Sequence, residues 1–294
     1  MRTLSLLKWI KLLLKWLTII VFSLIALLLI AIEIFDRYVS SEKGTHWLYS
    51  EIPDYQPTIH FTDSGVRYLS IGEADKPALL LVHGAPGSVM DWVAFAKRQR
   101  IYEHYRLLIA DRPGYGGTKP RGANRSIKNQ AERLLEIIQS EQEPVVVLGH
   151  SYGGPIAVAM GALQPEKVKY VIGAAGQYDP DNEVTFGISY WINFKLFKYL
   201  LPRMIWVSNI EKLTHPDALR EVMELFKTIS VPVYLIHGDI DTLVPYENST
   251  FLMNIMESEA EITTLEGVEH PFHMQETDLL VDYTIDLFNK TAKH

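Results

Sequence analysis

Apolar residues recur along most of the chain in short, nearly continuous runs of five to seven. Such runs are typical of buried strands. The segments between the runs have apolar residues spaced three and four apart, which indicates helices. The predicted strands are 66–71, 78–82, 105–110, 144–148, 168–174, 231–236 and 261–265. Alternating strands and helices predict a mostly parallel sheet covered by helices on both faces.

Helix signals fill the intervals between these strands. Ser126 is a suitable N-cap for a helix with Ala131, Leu134 and Ile138 on one face. A second helix includes residues 155–163, and the last helix is predicted over 275–288. The length of 294 residues fits one large α/β domain over 37–294 with a small insertion.

The N-terminus follows a different pattern. Residues 16–32 form an apolar run whose only polar members are Thr18 and Ser23. At about 1.5 Å per residue this run spans roughly 26 Å, and residues 33–35 extend it to transmembrane length. Because no small-residue cleavage site follows, residues 1–36 are predicted to be a retained, single-pass signal anchor in the lipid bilayer. A cleaved signal peptide and a buried helix are the alternatives.

Charge orients this helix. The first 15 residues contain four basic residues and no acidic one, so the remainder of a chain of net charge −7 carries −11. The basic flank predicts that the N-terminus is cytoplasmic and that the α/β domain lies on the non-cytoplasmic side, periplasmic or extracellular. An acidic body argues against nucleic acid as a partner. Since the first predicted strand begins far beyond the anchor, deletion of residues 1–36 is expected to release an active body.

Gly149-His150-Ser151-Tyr152-Gly153-Gly154 lies between a predicted strand and a predicted helix. A sharp turn at this point leaves no room for side chains two residues before or after the serine, and it lifts the hydroxyl above the sheet. Ser151 is therefore the predicted nucleophile. The alternative is an ordinary serine in a glycine-rich turn. The chain has no cysteine, which excludes a thiol nucleophile, disulfides and thiolate metal sites.

A serine nucleophile needs a base, and the base needs a carboxylate that fixes its tautomer. Asp241 follows the strand at 231–236, and His270 follows the last strand by a short loop. These two are the predicted acid and base. The alternatives are Asp239, Asp179 and Asp181 for the acid, and His273 for the base, although His273 fits an exposed or hydrogen-bonded position at the start of the final helix.

The loop that begins at His83 ends the strand at 78–82. In hydrolases, such a loop supplies one backbone N–H of the oxyanion hole, and the residue after the nucleophile supplies the other. The backbone N–H groups of Ala85 and Tyr152 are the predicted donors. No metal and no cofactor are predicted.

Taken together, these motifs resemble the α/β-hydrolase superfamily of serine esterases and lipases. They are His83-Gly84-x-Pro86-Gly87, Asp111-x-Pro113-Gly114-Tyr115-Gly116, the Ser151 turn and His237-Gly238-x-x-Asp241-x-x-Val244-Pro245, within residues 60–290. The resemblance implies an eight-stranded α/β-hydrolase fold with a helical cap at about 177–230. Glu269 departs from the pattern, because many relatives have glycine just before the histidine.

The cap region is strongly aromatic. Trp191, Phe194 and Phe197 are predicted to line an apolar substrate pocket. Packing of the cap onto the core and contact with the bilayer are the alternative roles. Thr214-His215-Pro216-Asp217 resembles a capping box, which predicts that a second cap helix begins there.

Hydrolysis of a small apolar carboxylic ester or related acyl bond, through an acyl-enzyme, is the function that these features favour. An aminopeptidase or amidase, a carbon–carbon hydrolase and a cofactor-free perhydrolase use the same triad and stay open. Glu183 and Glu211 are the candidates that would bind a substrate amine. Ser151 argues against epoxide hydrolases and haloalkane dehalogenases, whose nucleophile is aspartate. A membrane-tethered binding scaffold is the non-enzymatic alternative.

Overall fold

The computed structural model describes residues 2–52, 54–194 and 196–292, with the backbone alone for residues 2–7. Its eight-stranded sheet has the order β1-β2-β4-β3-β5-β6-β7-β8, in which β2 pairs antiparallel with both β1 and β4 and the other pairs are parallel. The strands are β1 (Thr58–Phe61), β2 (Arg67–Ile71), β3 (Ala78–Val82), β4 (Arg106–Ala110), β5 (Val145–His150), β6 (Val168–Ala174), β7 (Val233–Gly238) and β8 (Ala260–Leu265). The predicted eight-stranded, mostly parallel sheet is confirmed.

Helices cover both faces of this sheet. They are α1 (Arg2–Val39), α2 (Glu42–Leu48), α3 (Val93–Ala96), α4 (Ile127–Ile138), α5 (Gly153–Leu163), α6 (Gly187–Ile192), α7 (Phe197–Leu200), α8 (Arg203–Thr228), α9 (Glu247–Ile255), α10 (Phe272–Gln275) and α11 (Thr277–Thr291), with short 3₁₀ turns at Val89–Trp92 and Gln99–Glu103.

Two hydrophobic clusters form the core, one on each face of the sheet. Along β3, Leu80 and Val82 belong to the cluster under α4, α5 and α8, whereas Leu79 and Leu81 belong to the cluster under α3 and α11. Every residue of β3 is buried, because successive strand side chains point to opposite faces and both faces are covered. The loops that follow the parallel strands therefore meet at one edge of the sheet.

The cap consists of α6, α7 and the first half of α8. The predicted helix start at Thr214 is wrong, because α8 continues from Arg203 to Thr228 through Pro216. Thr214 does not cap a helix; its hydroxyl donates to the Ile210 carbonyl oxygen at 2.9 Å, one turn back. A proline in a helix costs one backbone hydrogen bond, and the packing of α8 against α4 and α5 offsets this loss.

The first helix, α1, contains a segment over Lys8–Val39 that is long and apolar enough to cross a membrane, and the most apolar 18-residue stretch within it is not buried against the body. Its last turns do contact the body. The Asp36 carboxylate lies 3.1 Å from the Arg203 guanidinium, and a Glu33 carboxylate oxygen accepts a hydrogen bond from the Arg203 backbone N–H at 2.8 Å. The last turn of the segment over residues 1–36 therefore contacts the body, whereas the sequence suggested that the body is independent of this segment.

Candidate active site

Ser151 lies on the sharp turn between β5 and α5. Its φ is 54°, a left-handed conformation that is strained for a residue with a side chain. A Cβ on Gly149 would lie 2.2 Å from the Gly153 carbonyl oxygen, and a Cβ on Gly153 would lie 2.3 Å from the Val82 carbonyl oxygen. Both positions thus require glycine, and the turn presents the Ser151 hydroxyl at the carboxyl edge of the sheet.

The structure brings Ser151, His270 and Asp241 into one hydrogen-bonded chain. The Ser151 Oγ lies 3.0 Å from His270 Nε2, and His270 Nδ1 lies 2.7 Å from Asp241 Oδ2. The three residues come from three loops, which follow β5, β7 and β8. A serine, an imidazole and a carboxylate in this order can move a proton from the hydroxyl to the imidazole.

The loop after β7 holds the Asp241 carboxylate in place. Its Oδ1 accepts hydrogen bonds from the backbone N–H groups of Leu243 and Val244, at 2.9 and 2.8 Å. Burial alone would raise the pKa of Asp241, but hydrogen bonds from His237 and His270 outweigh it and hold the pKa well below its usual range. Asp241 is therefore ionised at neutral pH and can stabilise a protonated His270.

The alternative acids have other partners. An oxygen of Asp239 accepts a hydrogen bond from the Gly267 backbone N–H at 2.7 Å, on the surface. Asp181 forms an exposed ion pair with Arg220, and Asp179 accepts a hydrogen bond from the Asp181 backbone N–H. Among these carboxylates, Asp241 is the one hydrogen-bonded to His270.

His273 is neither exposed nor hydrogen-bonded, contrary to the sequence-based expectation. It is buried, no described residue is within hydrogen-bond reach of either ring nitrogen, and its ring stacks on His150 with centroids 3.6 Å apart. Burial lowers the pKa of His273 to about 3, so the ring is neutral. His150 Nε2 lies 3.2 Å from the His270 carbonyl oxygen. This stack, which no sequence signal indicated, supports the loop that carries His270.

The loop after β3 approaches the nucleophile closely. A Cβ on Gly84 would lie 3.0 Å from the Ser151 Cβ, and both Ala85 and Tyr152 line the same cavity as Ser151. Within the described part of the chain, the backbone N–H groups of Ala85 and Tyr152 donate to no protein acceptor. Two unused donors beside a serine hydroxyl are suited to an oxyanion.

The buried side chain of Arg112 holds the loop after β3 in place. Its guanidinium donates to the carbonyl oxygens of His83 and Gly84, at 2.9 and 2.8 Å, and pairs with Glu211 at 3.0 Å. Its Cζ atom also lies 4.7 Å from the centre of the Tyr152 ring. Sequence reasoning assigned no chemistry to the motif that contains Arg112, because its partners lie in three distant segments.

The cavity above Ser151 has a volume of about 300 Å³. Apolar and polar groups of the cap and loops form its walls. They are Phe186, Ile192, Ile205, Leu243 and Val244 on the apolar side and Gln177, Ser189, Ser208, Asn209 and Lys212 on the polar side. Such a mixture suits an ester with one apolar part and a polar group at its end.

The three aromatic residues predicted to contact substrate do not line this cavity. Trp191 is 67% exposed and Phe194 is 61% exposed, and Phe197 is half-buried outside the lining. The cap is aromatic, as the sequence indicates, but Trp191 and Phe194 face outward and Phe197 packs away from the cavity. The placement corrects the prediction: Phe186, Ile192 and Ile205 are the apolar residues from this region that line the cavity.

This sheet order, with a serine on the turn after its fifth strand and a helical cap above, defines the class of α/β hydrolases. The chain belongs to the Alpha/beta hydrolase family, whose model matches residues 79–283. Lipases, esterases and epoxide hydrolases are among the proteins to which it is similar.

Human monoacylglycerol lipase ABHD6 is 24% identical over 204 residues, which are 65% of this chain and 56% of that protein. Mouse epoxide hydrolase 4 is 30% identical over 120 residues, 39% of this chain and 33% of that protein. The chain thus covers little more than half of the length of the first of these relatives and about one third of the length of the second. The crystal structure of a membrane phospholipase A, a bacterial virulence factor, matches with a TM-score of 0.63 and 18% identity over 99% of each chain, a likeness of fold.

Proposed function

We propose that this hydrolase is a membrane-anchored serine esterase that cleaves carboxylic esters of lipid type through an acyl-enzyme on Ser151. The observation that carries the proposal is the chain of hydrogen bonds from Ser151 Oγ through His270 to Asp241, at the floor of a largely apolar cavity. Two similar proteins, named monoacylglycerol lipase and membrane phospholipase A, support a lipid ester as the substrate class.

In this mechanism, His270 Nε2 takes the hydroxyl proton as Ser151 Oγ attacks the ester carbonyl carbon. The carbonyl oxygen becomes negatively charged and accepts hydrogen bonds from the backbone N–H groups of Ala85 and Tyr152, each worth about 3 kcal/mol. His270 then gives its proton to the departing alcohol. A water molecule, activated by the same imidazole, releases the acid from Ser151. Asp241 stabilises the imidazolium in both halves of the reaction.

The buried carboxylates of the cap argue against an aminopeptidase. Glu211 is fully buried and already binds Arg112, Tyr115 and Gln130. Glu183 is paired with Lys212 and His215. Neither carboxylate is free to bind a substrate amine. An epoxide hydrolase activity is disfavoured because serine, and not aspartate, occupies the nucleophile turn.

The cavity should determine which acyl chains are accepted. Ile205→Trp fills space above Ser151, so we expect kcat/KM for octanoyl esters to fall about tenfold or more relative to acetyl esters, since one methylene in an apolar pocket is worth roughly 10-fold or more. Trp191→Ala is the matched control, because Trp191 is exposed in the same cap. An equal change in chain-length preference in both variants would show that the acyl chain binds elsewhere.

Membrane attachment through α1 is the second part of the proposal. Removal of residues 1–31 should release a soluble, active enzyme, because Glu33 and Asp36 keep their contacts with Arg203. Removal of residues 1–36 should also release the enzyme but lower its free energy of unfolding by about 3 kcal/mol, since Arg203 then loses its partly buried partner. Urea unfolding of the two truncated proteins measures the difference.

The orientation can be tested on the same protein. Protease added to cells whose outer envelope alone is permeabilised should digest the hydrolase domain and spare a cytoplasmic control, because the basic flank of α1 is expected to be cytoplasmic. Full-length protein in the soluble fraction would contradict the anchoring. A domain protected until the inner membrane is lysed would contradict the orientation.

A further inference from the structure

A second cavity, of about 480 Å³, lies beside the last turns of α1 and shares no lining residue with the cavity above Ser151. Three segments that are distant in sequence form its walls. They are the end of α1 (Glu33 and Arg37), the loop before α4 (Arg121, Gly122 and Ala123) and the cap from α7 into α8 (Lys198, Tyr199, Leu201, Arg203, Trp206 and Val207).

The charge of this cavity differs from that of the chain as a whole. Four cationic side chains line it, those of Arg37, Arg121, Lys198 and Arg203, and among its lining residues Glu33 is the one acid. The chain carries a net charge of −7. Because the chain as a whole is acidic, this cluster of cations is a local basic site that can attract an anion.

Two of these cations are available for a ligand. Arg203 is held by Asp36 and by backbone carbonyl oxygens, and Arg37 pairs with Glu33. Among the described residues, Arg121 and Lys198 have no hydrogen-bond or ion-pair partner, and both are exposed. Guanidinium and ammonium groups in one cavity match the oxygen atoms of a phosphate ester.

The position of this cavity along α1 indicates the source of the anion. The apolar run ends at Ile32, and Glu33 and Arg37 lie within the next two turns. If α1 crosses a bilayer, as in the proposed function on which this inference rests, these residues lie at the level of the lipid phosphates. Tyr199 and Trp206 in the same cavity are the aromatic residues that prefer this interface.

We propose that this cavity binds the phosphate group of an anionic phospholipid headgroup, with Arg121 and Lys198 as the donors to its oxygen atoms. The bound lipid would bridge the anchor and the cap helix α8, whose neighbouring residues Ile205 and Ser208 line the active-site cavity. A headgroup at this site would hold the cap at the membrane surface.

The test uses full-length enzyme in nanodiscs that contain a mixture of phosphatidylcholine and phosphatidylglycerol. Native mass spectrometry of the released protein should show retained phosphatidylglycerol in preference to phosphatidylcholine. Arg121→Gln with Lys198→Gln should reduce this preference roughly 30-fold, as the loss of two cations at a membrane surface implies. Lys128→Gln with Lys169→Gln is the matched control, because both lysines are exposed outside the cavity and should leave the preference unchanged.

Inorganic phosphate, added to the enzyme in neutral detergent, separates the two sources of a phosphate group. Binding of free phosphate without any enrichment of phosphatidylglycerol would overturn the assignment to a lipid, and equal enrichment in all variants would overturn the site. Failure of the full-length protein to enter nanodiscs would instead contradict the membrane anchoring, and the headgroup proposal with it. Unchanged hydrolysis of a soluble ester by both double variants shows that they are folded.

Discussion

Ser151→Ala should lower kcat for ester hydrolysis by about 10⁵-fold or more, because the nucleophile and its base act as a unit. The variant should fold, since the Ser151 hydroxyl contributes a single hydrogen bond, to His270. Steady-state kinetics with a soluble chromogenic ester and a thermal unfolding curve measure the two quantities.

Ser208→Ala is the matched control for this substitution. Ser208 lines the same cavity, but the structure gives its hydroxyl no histidine partner. We expect its kcat to stay within tenfold of that of the parent enzyme. If Ser151→Ala retained a turnover comparable to that of the control, Ser151 would not be the nucleophile.

Asp241→Asn should reduce kcat by about 10⁴-fold with little change in structure. The asparagine side chain can still accept from Leu243 and Val244, but its amide group favours the histidine tautomer that carries the proton on the nitrogen facing Ser151. His270 then cannot accept the hydroxyl proton. The effect should be in kcat, because the substitution does not touch the cavity walls.

Asp239→Asn is the control in the same loop. Asp239 accepts one surface hydrogen bond, from the Gly267 N–H, and an amide oxygen can replace the carboxylate there. Its turnover should stay within tenfold of the parent. If Asp239→Asn lost turnover and Asp241→Asn retained it, the catalytic acid would be Asp239 and not Asp241.

Much of the sheet could be predicted because its strands are buried on both faces. The run of β3 is then apolar throughout, and that of β6 is apolar or small except for the exposed Lys169; the predicted bounds of both agree with the structure. The edge strand β1 was not predicted, because three of its four residues are exposed and no apolar run marks it. The residues of the candidate triad could be predicted from the sequence because each follows its own strand.

The remaining features depend on contacts between distant segments. Pro216 and a capping pattern suggested a helix start, but packing of α8 outweighed the local signal. Composition showed that the cap is aromatic without showing which side chains line the cavity, so Trp191 was predicted to line it and Phe186 was not. The pairing of Asp36 with Arg203, far along the chain, had no sequence signature.

The most direct test of the proposed mechanism is the site at which a fluorophosphonate reacts with the full-length enzyme. Peptide mass spectrometry should locate the phosphonate on Ser151, with labelling abolished in Ser151→Ala, slowed in Asp241→Asn, and reduced when a competing ester substrate is present. Labelling at another serine, or none in an enzyme that hydrolyses esters, would contradict the account of Ser151 as the nucleophile.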